Sequence, residues 1–216
     1  MVPLEVVAHL RGAVCLPNGP IALDGLLAAQ VAARDNLPPA FDERGIVPIE
    51  IPVQREPGGR FHLASISHQE IDQTELRWLN RRFPVAEAMV FGDAKLRRID
   101  ITAKDTKSWR IPLATFHAEH DRLTWWCIGE PDAIHELLKL CHYVGKKRAV
   151  GLGAVDRWSV TECEPWPGFP VLRDGLPLRS LPVDWPGLRP DAERGMAVLT
   201  YPFWRRHREE EAAVPT

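Results

Sequence analysis

The fold class of this chain follows from the stretch GKKRAVGLG at residues 145–153. An apolar helical pattern precedes it, because four residues from Ile134 to Cys141 recur at i, i+3, i+4 and i+7. A pattern rich in β-forming residues follows at Val155–Thr161, and its imperfect alternation predicts a strand with a bulge. Dinucleotide and P-loop glycine motifs run the other way, from strand to helix, so that a phosphate meets a helix N-terminus. We therefore predict a loop that presents its backbone to an extended polymer.

The chemistry of this loop is cationic. Asp156 stands where GxGxxG would have its third glycine, and no Gly-Lys-Ser/Thr follows, so neither nucleotide motif fits. Consecutive basic side chains can neutralise phosphates, and glycines permit a close approach of the backbone. The alternative is a mobile basic turn whose charges are only solvated. We predict an RNA-backbone clamp formed by Gly145, Lys146, Lys147, Arg148, Gly151, Gly153 and Arg157.

Composition places this basic loop in a nearly neutral globular protein. The 216 residues carry a formal net charge of −2 and are 45% hydrophobic, which excludes a bulk polycation, so a nucleic-acid site must be a local patch. The N-terminus lacks a signal pattern, and the apolar run Leu26–Ala33 is too short to span a bilayer. We expect a cytoplasmic protein with no membrane contact. In that reducing compartment, free thiols are expected at Cys15, Cys127, Cys141 and Cys163.

The N-terminal part predicts a strand, a helix and a hairpin. Alternation from Leu4 to Leu10 is typical of a half-buried strand. Asp24 can cap a helix that ends before Pro38. Residues 47–53 and 61–66 predict a β-hairpin around a Pro-Gly-Gly turn, and two prolines place the first of these strands at a sheet edge.

The middle of the chain predicts an insertion. Residues 74–82 have the pattern of a short helix. Residues 95–102 and 108–115 predict the two strands of a second hairpin, with a polar tip at 104–107.

Without the insertion, the predicted order of elements is βαββαβ. The apolar run Leu123–Ile128 indicates a central strand, and Pro131 is well placed to begin the second helix. We predict an α+β fold with a ferredoxin-like, RRM-like core at 1–164 that contains the inserted helix and hairpin at about 69–116, followed by an extended Pro/Trp-rich tail at 165–216. Helices would cover one sheet face, and the open face would carry Glu5, Val7, His9 and Arg11.

A second basic patch lies in the inserted region, where it is interleaved with aromatic residues. Single-stranded RNA sites use this combination, because rings stack on bases while cations contact phosphates. For Trp78 and Phe83, we expect the simpler role of filling a local core. The RNA contacts predicted here are Arg97, Arg98, Lys104, Lys107 and Arg110, and the open sheet face adds His9 and Arg11.

Together these features resemble the RAMP superfamily of CRISPR-associated RNA-binding proteins. The resemblance is carried by Val144–Val155, a glycine-rich loop between the last helix and last strand of a ferredoxin-like domain. The stretch Val7–Ala29, with GPIALDGLL at 19–27, looks like the Cas-five branch, and more particularly its type IV (Csf-three-like) version.

The resemblance implies a subunit that caps the 5′ handle of a CRISPR RNA. It further implies contacts with backbone RAMP subunits, with the large subunit and with target DNA near the protospacer-adjacent end, in an anti-plasmid complex that works with a separate helicase. The predicted hairpin at 95–115 resembles the thumb that RAMP subunits extend over RNA. No catalytic residue, metal or cofactor is expected on this interpretation.

Two alternatives stay open. Related RAMP endoribonucleases cleave RNA by general acid–base chemistry without a metal, and the histidines of this chain are candidates by type. His117 and His120 have a spacing that could bind a metal, but HExxH and an obvious third ligand are missing. A small-molecule enzyme on the same scaffold would need a compact pocket with convergent polar groups.

Overall fold

The computed structural model describes residues 1–16, 19–37, 49–81, 90, 109–200, 203 and 209–215. Its helices and strands form a mixed α/β protein with several small antiparallel sheets. In chain order they are β1 (Val2–Leu10), α1 (Leu23–Arg34), β2 (Ile71–Arg81), β3 (Trp109–Ala118), β4 (Arg122–Gly129), α2 (Pro131–Leu138), β5 (Val155–Glu162), β6 (Leu172–Arg173), β7 (Leu176–Pro177), β8 (Leu181–Pro182), β9 (Arg194–Ala197) and β10 (Glu210–Ala213).

The central sheet has β1 in the middle, with β4 and β5 antiparallel on either side. Alternate β1 residues from Leu4 to Leu10 are buried and pack with α1 and α2 in one hydrophobic core. Both helices therefore cover the same face, which confirms the predicted strand and helix positions. The register between β1 and β5 shifts after His9, where Asp156 is the extra residue, and this confirms the predicted bulge.

The other face of this sheet carries the residues of β1 that point away from the helices. Cross-strand pairing sets β4 and β5 residues beside them, since side chains of directly paired residues share a face. We call this surface the open face. It consists of Glu5, Val7 and His9 from β1, Arg122, Thr124 and Trp126 from β4, and Arg157, Ser159 and Thr161 from β5.

The start of α1 differs from the prediction. The N-cap residue is Ala22, which makes no side-chain capping bond, and Asp24 lies inside the first turn. The Asp24 carboxylate is buried, accepts a hydrogen bond from the Gly25 backbone N–H at 2.9 Å, and lies 3.3 Å from a guanidinium nitrogen of Arg179. The Asp24 carboxylate is therefore paired with a cation that is distant in the chain, and Asp24 does not cap the helix.

The predicted hairpin at 47–53 and 61–66 is wrong as a pair of regular strands. Residues 47 and 48 lie outside the described ranges. From residue 49 onward, the two arms share one antiparallel bridge, between Arg55 and His62. Prolines remove ladder donors from the first arm, so the segment pairs with a longer neighbour instead. Its other bridges join Val53, Ala64 and His68 to β4.

The inserted region also differs from the prediction. The helix predicted at 74–82 is wrong, because residues 74–81 belong to β2, and residue 82 lies outside the described ranges. β2 pairs antiparallel with β3 from Ile71 opposite Ala118 to Arg81 opposite Trp109. The strand predicted at 108–115 is confirmed as β3, but its partner is β2. Its predicted partner at 95–102 and the tip at 104–107 lie outside the described residues. Long-range pairing here overrides a weak local helical pattern.

The tail beyond residue 164 contains short strands that the sequence did not predict. β6 pairs with β7, and β10 lies between β8 and β9. A second small core joins this tail to Phe61, through Val171, Leu172, Leu181 and Leu199. Among the described residues, no helix is both long and apolar enough to cross a lipid bilayer.

Candidate nucleic-acid interface

The glycine loop connects α2 to β5, as predicted, and it is hydrogen-bonded to the segment that follows β1. The Gly153 backbone N–H donates to the Ala13 carbonyl at 2.9 Å, and the Lys146 N–H donates to the Cys15 carbonyl at 2.9 Å. Within the loop, the Val144 N–H donates to the Gly153 carbonyl at 2.8 Å. These bonds fix the loop at the C-terminal end of β1.

The three predicted glycines have positive φ angles but different surroundings. A Cβ added at Gly145 would lie 2.6 Å from the Cys15 carbonyl oxygen, and one at Gly153 would overlap the Val144 carbonyl oxygen. A Cβ at Gly151 would meet nothing within 4 Å. Gly145 and Gly153 are therefore required for contacts within the chain, and Gly151 leaves open space beside the loop.

The basic side chains of the loop are exposed, while one apolar side chain anchors it. Lys146, Lys147 and Arg148 are all exposed, and Lys147 has a left-handed φ of 62°. Leu152 is buried in a small cluster with Ala13 and Cys15. The loop thus presents three cations from a fixed base.

A second group of cations lies on the open face, beside the same end of β1. His9 is paired with Arg122 of β4 and with Arg157 of β5, and both arginines are exposed. The His9 Nε2 lies 3.0 Å from the Ser159 hydroxyl oxygen. Burial, together with Arg157 and Arg122, lowers the pKa of His9. Arg122 was not among the predicted site residues.

Arg11, another predicted contact, is already engaged by a carboxylate. Its guanidinium lies 2.7 Å from the Asp156 Oδ1, and both side chains are largely exposed. Asp156 is the bulge residue of β5, so the bulge brings this carboxylate to the end of β1. We refer to His9, Arg11, Arg122, Lys146, Lys147, Arg148 and Arg157 as the basic edge.

The opposite end of the open face is covered by the C-terminal tail. Trp126 is 5% exposed, and its ring meets the edge of Trp166 with centroids 5.5 Å apart. The Arg173 guanidinium lies 4.3 Å from the Trp126 ring centroid and 4.0 Å from that of Trp166. Arg173 therefore packs in the corner formed by two perpendicular indoles.

The β2–β3 ribbon approaches the glycine loop from the other side. Val14 and Phe116 exchange backbone hydrogen bonds at 2.9 and 3.1 Å, and Leu113 packs against the Leu152 cluster. The predicted burial of Trp78 is wrong, since this side chain is 48% exposed. Arg110 lies opposite Asn80 in the ladder. The predicted contacts Arg97, Arg98, Lys104 and Lys107, together with Phe83, fall outside the described residues.

Comparison with known families adds one match. The family model for the CRISPR type IV associated protein Csf3 matches residues 87–215, which is more than half of the chain. The chain belongs to the Csf3 family. No curated protein matches the chain. The family model covers β3 to β10 and the glycine loop, and it leaves out β1, α1 and β2.

The Csf3 match does not itself assign a role to any histidine. His117 lies in β3, and His120 lies in the short turn before β4 with a positive φ of 52°. Within the described ranges, no group of three or more His, Cys, Asp or Glu residues could hold a metal ion.

Proposed function

We propose that this Csf3 family protein is a non-catalytic, RNA-binding subunit of a CRISPR type IV complex, and that its basic edge holds the 5′ handle of the CRISPR RNA. The observation that supports this most directly is the convergence of two cationic groups on one end of β1. The glycine loop supplies Lys146, Lys147 and Arg148, and the open face supplies Arg122 and Arg157. The family match supplies the CRISPR association.

The order of the strands agrees with a ferredoxin-like core of the RAMP type. In that fold the sequence βαββαβ gives a sheet with the first strand between the third and the last, all antiparallel. Here β1 corresponds to the first strand of such a core, β4 to the third and β5 to the last, and β1 lies between the other two. The second strand of the core would correspond to the segment that bridges to β4 at Ala64 and His68. We propose that prolines and tail contacts have reduced this strand to bridges.

The electrostatics of the basic edge suit a polyanion that lies across it. Within the described ranges, neither Arg122 nor Arg157 forms an ion pair, so a bound phosphate would gain their charge without displacing a carboxylate. Arg11 has a competing carboxylate, Asp156. Gly151 leaves room for the RNA backbone beside the loop.

The proposed complex has further partners. We propose that the chain contacts backbone subunits, the large subunit and target DNA near the protospacer-adjacent end, and that a helicase acts with the complex. The exposed β2–β3 ribbon is the surface that we assign to the RNA or to a neighbouring subunit, because half-exposed Trp78 and exposed Leu76 lie along it.

The test is RNA binding by the purified chain at several salt concentrations. Replacing Lys146, Lys147 and Arg148 together by alanine should lower affinity for 5′-handle RNA about tenfold or more and reduce the slope of log affinity against log salt by about two to three. A matched control replaces Arg34 and Lys139, which are exposed at helix ends and are not part of the basic edge. Equal affinity and salt slope in the triple variant and the wild type would contradict the proposal.

A second candidate function, metal-independent RNA cleavage, is favoured by one observation. Burial, Arg157 and Arg122 lower the pKa of His9, which favours the neutral imidazole that can accept a proton, and the two arginines are its cross-strand neighbours. Incubating labelled repeat RNA with the wild type and with a His9→Gln variant separates the two functions. We expect intact RNA in both reactions. Cleavage at a defined position that is lost in His9→Gln would establish the ribonuclease instead.

A further inference from the structure

A cavity of about 340 Å³ lies between residues 66–69 and the β6–β7 hairpin. Its volume is at the lower end of the range for small-ligand sites, about 300–1,000 Å³, which suits one planar group better than a peptide. Proline and leucine side chains form much of the wall. The polar side chains around it include Ser67, His68, Gln69, Arg173 and Asp174.

Gln69 gives the first indication of a ligand. Its side-chain carbonyl oxygen, Oε1, is buried and has no hydrogen-bond partner among the described residues. A buried polar atom without a partner costs free energy, about 1–3 kcal/mol, unless something else fills the role. Gln69 lines the cavity, so rotation of its side chain would bring this oxygen within reach of a ligand that donates a hydrogen bond there.

Arg173 and Asp174 complete a set of fixed donors and acceptors. Arg173 packs against the perpendicular rings of Trp126 and Trp166, so its guanidinium is already oriented and loses less freedom when it donates hydrogen bonds. Asp174 follows at the β6–β7 turn with a left-handed φ of 55°, and its side chain is exposed. Neither side chain forms a hydrogen bond with another described residue.

We propose that this cavity receives a single unstacked guanine base of the bound RNA. Guanine presents acceptors at O6 and N7, which match an arginine, and N–H donors on its opposite edge, which match a carboxylate and an amide oxygen. Adenine, cytosine and uracil each present fewer donors to such a pair of acceptors. This inference rests on the proposed RNA-binding function and deepens it by naming the base that is read.

The cavity is connected to the basic edge along β4. His68 bridges to Thr124, and its ring lies 5.6 Å from that of Trp126. From Arg122 to Trp126, the strand covers about 13 Å at about 3.3 Å per residue. An RNA strand whose phosphates lie on Arg122 and Arg157 can therefore direct a neighbouring base toward the cavity.

The experiment uses the full chain and labelled oligouridine of about eight nucleotides that carries one guanosine, adenosine or cytidine at each position in turn. At one position, guanosine should raise affinity about tenfold over oligouridine, because a good bidentate pair contributes about 1–3 kcal/mol. Asp174→Asn and Gln69→Leu should each reduce this preference to about twofold or less. Asparagine tolerates the left-handed φ, so the turn should persist.

Two further measurements separate base reading from fold and from phosphate binding. The salt slope of oligouridine binding should be the same in both variants and in the wild type, since no phosphate contact is removed. Gln69→Leu should not lower the melting temperature, because the lost oxygen has no partner. The matched control is Asp184→Asn, an exposed tail residue outside the cavity lining, which should keep the full guanosine preference.

The possible outcomes distinguish this proposal from the proposed function. Equal binding of all oligonucleotides would overturn the guanine pocket and leave RNA binding in place. A guanosine preference that survives both variants, or a preference for another base, would overturn the pocket as well. No binding of any oligonucleotide at low salt would overturn the pocket and the proposed function together.

Discussion

The two ends of the open face use the same three strands but have opposite surroundings. At one end, His9 lies between two exposed arginines, Arg122 and Arg157, which form no ion pair within the described ranges. At the other end, Arg173 packs against two perpendicular indole rings. Ring contacts of this kind support the fold, whereas the two exposed arginines on either side of His9 repel each other only weakly and would attract an anion. The comparison separates a cation that packs against the tail from two cations that lie open to solvent.

The largest effect is expected where the tail is anchored. Arg179 is 3% exposed, and it donates to the His62 carbonyl at 2.6 Å, to the Ala64 carbonyl at 3.0 Å and to buried Asp24. Arg179→Met would leave the Asp24 carboxylate buried without its cation, so we expect the free energy of unfolding to fall by about 3–5 kcal/mol. Urea denaturation measures this loss.

The control for that prediction is the double variant. Arg179→Met alone would leave the buried Asp24 carboxylate without a cation. Combining it with Asp24→Asn removes that negative charge, so the double variant should be more stable than Arg179→Met alone. RNA affinity of either variant, measured well below its melting temperature, should match the wild type. Weaker RNA binding at unchanged stability would instead assign Arg179 to the ligand.

The next largest effect distinguishes Gly153 from Gly151 within the glycine loop. Gly153→Ala would force its Cβ into the Val144 carbonyl, and we expect a loss of about 3 kcal/mol in stability. Gly151→Ala meets no atom and should lose only about 1–2 kcal/mol through its positive φ. Gly151→Val should in addition weaken RNA binding, because its side chain extends into the open space. Thermal melts and binding isotherms on the three variants test this order, and equal stabilities for the two alanine variants would contradict it.

The two ends of the face should differ in salt dependence. Arg122→Ala with Arg157→Ala should weaken RNA binding about tenfold and reduce the salt slope by about two, since each removes one phosphate contact. Arg173→Ala should leave that slope unchanged and lower the melting temperature by loosening the Trp126–Trp166 pair. Salt titrations of both variants measure the two slopes and show which end of the open face contacts phosphate. A reduced slope in Arg173→Ala would show that the covered end also contacts phosphate.

The sequence predicted the elements whose patterns are local. The alternation in β1, the heptad-like spacing in α2 and the glycine loop all appear where they were expected, because each is decided by residues next to it in the chain. Arg122 was missed although a signal exists. Leu123, Trp125 and Cys127 alternate with Arg122, Thr124 and Trp126, so period-2 alternation within the apolar run would have placed Arg122 on the open face.

The predictions that were wrong concern residues whose structure depends on partners far away in the chain. β2 has no strong period of its own, and its strand conformation depends on β3. Even the closest pair of the ladder, Arg81 and Trp109, is 28 residues apart in the chain. Asp24 is positioned by Arg179, 155 residues later in the chain, and β8 pairs with β10, at least 30 residues later. The domain boundary at residue 164 stays a prediction, and the contacts of Trp166 and Arg179 show that the tail packs on the core.

A smaller effect concerns the carboxylate within the basic edge. Asp156 lies 2.7 Å from the Arg11 guanidinium and competes with any phosphate for it. Asp156→Asn removes the competing charge, so RNA affinity should rise by about threefold, within the range of an exposed ion pair. Filter binding measures the change, and Asp191→Asn, which releases Arg189, a residue outside the basic edge, is the matched control. Unchanged affinity in Asp156→Asn would remove Arg11 from the proposed contacts.

The smallest effect is a pH dependence at His9. Burial, Arg157 and Arg122 lower its pKa below the usual 6.5, with nearby Asp156 opposing them. In the free protein, stability is therefore lost as pH falls through 6.5 toward the lowered pKa, because the unfolded chain binds the proton more readily. Bound phosphate reverses this balance, because it favours the protonated imidazole.

RNA affinity should consequently rise by about threefold as pH falls below 6.5, and it should level off once His9 is protonated in the free protein as well. His9→Gln can still form a hydrogen bond with Ser159 and should show no such rise. Binding isotherms between pH 5 and 8 at constant ionic strength test both statements. An equal rise in His9→Gln would mean that another group takes up the proton. A fall in affinity at low pH would mean that no phosphate lies near His9, and the basic edge would then be limited to the glycine loop.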